Sequence, residues 1–96
     1  MSQNIKKKDM ESFAKVLLGL KEMRDVNEFL NLFLTKSERE SVLKRYKILV
    51  LLLKAKSTQR EVSKQLNLSI SKVTAGSKAL QNTSQNMRKL LNHSFD

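Results

Sequence analysis

Residues 59–80, QREVSKQLNLSISKVTAGSKAL, hold Arg60, Lys64, Lys72 and Lys78 against one acid, Glu61, among small polar residues and spaced apolar ones. Cations on short helical faces, with no nucleophile–base set beside them, suit contact with a polyanion rather than catalysis. The surroundings extend the bias. From Ser41 to Phe95 the only acid is Glu61, against eleven lysines and arginines, whereas the first forty residues are nearly balanced; the whole chain carries +10. Other chemistries are poorly supplied. There is no cysteine and one histidine, His93, so neither disulfides nor a His/Cys metal cluster is expected. No paired carboxylates on a shared face and no phosphate-cradling glycine loop are present, so no enzyme is expected.

The elements that must position these residues read as helices. Proline is absent and glycine occurs only at 19 and 76, so nothing forces hairpins. In a chain of 96 residues this predicts one all-α domain over 9–96, after a flexible basic arm at 1–8 that includes KKK. No run of 18 apolar residues suggests a membrane span, and the N-terminus lacks the apolar core of a secretion signal. A cytoplasmic protein is expected. The stretch 9–24 places Phe13, Val16, Leu17, Leu20 and Met23 on one face of a first helix, and VNEFLNLFL forms a second. Thr35 with Glu38 offers a capping box for a third helix over about 36–54, with Ser37 and Glu40 as a competing register. In that helix YKILVLLLK has seven apolar or aromatic residues in nine, too many for a one-sided surface helix. A homodimer with a shared core is the economical way to cover them.

Thr58 and Glu61 form another capping box, giving a fourth helix at about 58–66; Ser69 caps a fifth at about 69–80, and a sixth lies near 83–93. Helices four and five have the makings of a DNA-binding helix-turn-helix. Val62, Leu66, Leu68 and Val73 are inner positions, Ser63 is the small residue at the close approach, and Asn67 stands at a turn needing left-handed backbone. Ser71, Lys72, Ala75 and Lys78 then point outward, short or basic, as a helix entering a major groove requires.

In the sequence from Leu34 to Leu80, LT..ER, R...I...LL, (S/T)QRE and I..(I/V)T.GS..L follow one another without gaps. This half of the chain resembles the tryptophan repressor family. The resemblance implies an interlocked six-helix all-α homodimer that binds operator DNA when L-tryptophan sits against the recognition helix. It places Gln59, Arg60, Ile70, Ser71, Lys72 and Thr74 at DNA-contacting positions, with Ser63 and Lys78 completing the expected DNA-binding set. For the ligand it implies backbone carbonyls at Leu32 and Leu34, a carboxylate contact at Thr35, an arginine stacked on the indole at Arg45, and neighbours at Leu49 and Ala79. Gly76 falls where close approach to the ligand leaves no room for a Cβ.

Two residues depart from the pattern. TAGS stands where TRGS is usual, so Ala75 replaces the second indole-flanking arginine, and Ala79 replaces a serine near the ligand's amino group. Losing one charge-assisted hydrogen bond weakens binding roughly 10- to 150-fold. The expectation is a repressor whose L-tryptophan control is weakened or altered, with Lys78 a possible replacement cation. The alternative is a ligand-independent DNA-binding regulator, or an interaction module that kept the fold.

Overall fold

The computed structural model describes residues 6–54 and 57–94, and every regular element among them is helical. In chain order these are α1 (Lys7–Leu18), α2 (Met23–Phe33), α3 (Lys36–Lys54), α4 (Gln59–Leu66), α5 (Ile70–Gln81) and α6 (Gln85–His93). The chain divides into two compact units, Met1–Lys36 and Ser37–Asp96. Of the expected N-terminal arm, residues 1–5 lie outside the described residues, while Lys7 and Lys8 already belong to α1. Asp9 in its first turn favours that early start, because a carboxylate complements the positive end of the helix dipole.

The first unit is a helix pair. One expectation fails here: a single helix does not run over 9–24. It stops at Leu18, with Gly19 as its C-cap, and Met23 opens α2. Glycine is the poorest ordinary helix former, and its N–H donates back to the carbonyls of Lys15 and Val16 as the chain leaves the helix. The two helices meet through Phe13, Phe29 and Phe33, whose ring centroids lie 4.6–5.6 Å apart. Phe13 stands edge-on to Phe33, the arrangement the ring quadrupoles favour. Much of the apolar surface stays open: Met10, Val16, Leu17, Leu18, Met23 and Leu32 are all exposed.

The second unit is built on α3, which starts at Lys36 and so gives Thr35, not Ser37, the N-cap position with Glu38 at the third helical residue. Within this chain α3 buries only Ile48 and Val50. Leu49, Leu51, Leu52 and Leu53 are half-buried, and Val42 and Leu43 are exposed. Ile48, Val62 and Val73, from three helices, form the core, with Leu51, Leu52, Leu66 and Leu68 packed against it.

Caps written in the sequence set the shorter helices. Thr58 Oγ1 accepts from the Glu61 N–H at 3.1 Å while the Glu61 carboxylate accepts from the Thr58 N–H, also at 3.1 Å. Those bonds hold the Glu61 carboxyl below the usual carboxylate range. Ser69 and Ser84 cap α5 and α6 through the N–H groups of Lys72 and Met87. At its other end α5 is held from α6: the Arg88 guanidinium donates to the carbonyls of Leu80 and Thr83. The Tyr46 hydroxyl of α3 donates to Ser94 Oγ (2.7 Å), whose own proton goes to the Leu91 carbonyl.

Candidate nucleic-acid interface and adjoining groove

Asn67 is the pivot between α4 and α5. Its φ of 55° and ψ of 48° are left-handed, the only positive φ among the described residues. The Asn67 N–H donates to the Lys64 carbonyl and the Leu68 N–H to the Ser63 carbonyl, the bond pair that closes a helix on a left-handed residue. Ser63 adds a third tie, its hydroxyl donating to the Leu68 carbonyl at 2.5 Å. The turn thus folds α5 back over α4, with Val62 and Val73 fully buried between them. Asn67→Val is expected to lower stability by about 1–3 kcal/mol, since a β-branched residue at positive φ is strained, whereas Asn67→Gly should be nearly neutral. Thermal melts of the two variants check this.

The residues expected to touch DNA are not equivalent. Arg60, Ile70, Ser71, Lys72 and Lys78 are exposed, four of them along α5. Gln59 and Thr74 are half-buried and joined, the Thr74 hydroxyl donating to Gln59 Oε1 at 2.7 Å. Ser63, also half-buried, has its proton committed to the turn. These three therefore have structural work within the helix pair, which the spacing of side chains along the sequence does not reveal.

Between α3 and α5 lies an open groove of about 350 Å³, lined by Ser41, Val42, Lys44, Arg45, Ile48, Lys72 and Ala75. It brings together Arg45 and Ala75, the two positions where the family pattern sets its indole-flanking arginines. Lys78, the suggested replacement cation, is absent from this lining; Lys72 and Lys44 are present. Reading side chains around α3 could have found this face, since 41, 44, 45 and 48 recur at helical spacing. Of the other expected ligand residues, Leu49 and Ala79 are half-buried in the second unit. Leu32 lies in the last turn of α2, where carbonyls run out of intrahelical donors, and Leu34 is its C-cap. Thr35 follows at once.

Gly76 has a place in the packing of α5 on α3. It is buried, and an added Cβ would stand 2.8 Å from Ile48 Cγ2 and 3.6 Å from Leu49 Cδ2. The missing side chain lets α5 lie close on α3. Ile48 is itself buried and stiff at χ1, so it has little room to yield. Gly76→Ala should cost about 1–3 kcal/mol from overpacking, offset by the ~1 kcal/mol that alanine gains in a helix. A lowered denaturation midpoint with unchanged slope is the expected readout.

Among the described residues no helix is long and apolar enough to cross a membrane, and no cluster of acids and histidines could hold a metal ion. A family model described as Trp repressor protein matches residues 8–94. The chain is 29% identical over 89 residues to the Trp operon repressor homolog of Chlamydia trachomatis serovar D, covering 93% of this chain and 95% of that protein. It is 35% identical over 81 residues to the homolog of Chlamydia caviae (84% and 80% covered). For the homolog of Xylella fastidiosa strain M23 the figures are 37% over 71 residues, with 74% and 77% covered.

Proposed function

Because the chain belongs to the Trp repressor family, we propose that it is a sequence-specific, DNA-binding transcriptional repressor working as a cytoplasmic homodimer. Members of the family are regulators rather than enzymes. In this reading α4 and α5 are the helix-turn-helix and α5 is the recognition helix. The observation that carries it is the left-handed turn at Asn67, which stacks α5 on α4 and leaves Ile70, Ser71, Lys72 and Lys78 exposed in a half of the chain with almost no acids. Arg60 and the lysines serve phosphates; Ser71 and Ile70 meet base edges.

Dimerisation is supported by the apolar surface a single chain leaves open, from Met10 to Leu32 in the first unit and at Val42, Leu43, Met87 and Leu90 in the second. A shared core would cover it, and two-fold symmetry would set two recognition helices one DNA turn apart, about 34–36 Å. Footprinting on a bound duplex tests the reading: two protected blocks related by a dyad are expected, and uniform protection along any duplex contradicts it.

Ala75 favours one variation, in which L-tryptophan is a weak co-repressor or none. The chain contains no tryptophan, so the amino acid's own emission reports its binding directly.

A further inference from the structure

Gln59 opens α4 and Thr74 lies on α5, and the bond between them sets which end of the Gln59 amide faces outward. The Thr74 hydroxyl donates to Gln59 Oε1 at 2.7 Å. Both hosts are anchored: Val62, one turn on from Gln59, and Val73, next to Thr74, are fully buried. A side-chain amide has an oxygen that accepts and a nitrogen that donates two protons. With the oxygen tied to Thr74, the nitrogen is the end left over. Among the described residues Nε2 makes no hydrogen bond, yet no buried side-chain nitrogen or oxygen lacks a partner, so Nε2 meets solvent.

That polarity matters in a helix pair that faces DNA, the reading proposed above, on which this inference rests. A phosphate oxygen accepts, so it can pair with Nε2 but not with Oε1. Turned the other way, the amide would set oxygen against oxygen. The Thr74 hydroxyl cannot take the phosphate itself while its bond holds, because its proton is spent and its lone pairs only accept. Base reading is affected too. An amide recognises adenine by offering oxygen and nitrogen together, and here the oxygen is occupied. We propose that Thr74 is a positioning residue rather than a DNA contact. Its hydroxyl holds the Gln59 amide with the nitrogen outward, as a neutral phosphate clamp beside the exposed Arg60. Such a clamp adds affinity and carries no sequence information.

Anisotropy titrations with two labelled duplexes test this, one selected by the chain from a random pool and one of scrambled sequence. Thr74→Val and Gln59→Ala should each weaken binding about three- to tenfold, by the same factor on both duplexes. Neither should change the slope of log K against log salt, because a neutral donor displaces no counterion. The double variant should be no weaker than either single one, and Thr74→Ser, which keeps the hydroxyl, should bind like the parent chain. Gln59→Glu separates positioning from stability. Its carboxylate still accepts from Thr74, so the melting temperature should hold while DNA binding falls at least about tenfold. Additive losses in the double variant, a Thr74→Ser as weak as Thr74→Val, or losses confined to the selected duplex overturn the proposal. A chain that prefers its selected duplex but binds it equally well with Thr74→Val or Gln59→Glu also overturns it, and leaves the DNA reading intact. A chain that enriches no duplex from the pool overturns the DNA reading, and the positioning role with it.

Discussion

Replacing Ala75 with arginine is expected to raise the affinity for L-tryptophan roughly 10- to 150-fold, the value of one charge-assisted hydrogen bond in a partly enclosed site. Position 75 shares the α3–α5 groove with Arg45, so a second guanidinium there could stack on the opposite face of an indole and meet its carboxylate. Ala75 is exposed and the substitution keeps a good helix former, so the fold should tolerate it. Fluorescence of added L-tryptophan, in a chain with none of its own, measures the change. If the affinity stays where it was, position 75 does not flank the ligand and the groove is not the tryptophan site of this chain.

The second large effect is on DNA and needs no mutation. A repressor that neutralises six to ten phosphates loses about 10³–10⁵ in affinity between roughly 50 and 200 mM salt, because each cation it supplies releases a condensed counterion. Arg60, Lys72 and Lys78 from each of two protomers would provide contacts of this kind, and their exposure makes them available. Fluorescence anisotropy with labelled duplex, repeated over a salt series, gives the slope. Lys78→Ala should reduce it by about one per protomer while leaving sequence preference in place. A flat response would mean that the basic half of the chain does not face DNA.

Much of the second unit was legible in the sequence because its boundaries are local chemistry. Thr58 with Glu61 opens α4, Ser69 opens α5, and Asn67 is one of the few residues besides glycine that accepts a left-handed turn. A reader of side chains at three- and four-residue spacing also finds Val62 and Val73 in the core. The first unit was harder. Gly19 sits within an apolar pattern that continues to Met23, and periodicity alone gives no sign that the chain breaks there and begins again as α2.

The candidate site was half legible. Its residue types could be read from the register with the family, but their companions could not, because they depend on how α5 lies across α3. Lys72 lines the groove and Lys78 does not. Gly76 makes room for Ile48. Thr74 is joined to Gln59, so a residue expected to touch DNA also fastens one helix of the pair to the other. Each is a tertiary fact resting on a few tenths of an ångström or one rotamer, and no linear pattern carries it.

Sequence-specific recognition by α5 is the central claim, and selection from a random duplex pool tests it most directly. The purified chain, incubated with the pool and recovered by gel shift, should enrich a sequence with two-fold symmetry and half-sites one helical turn apart. That sequence should bind about 10³-fold or more tighter than unselected duplex at physiological salt. A pool that stays random after repeated rounds, with every duplex bound equally, would contradict the account.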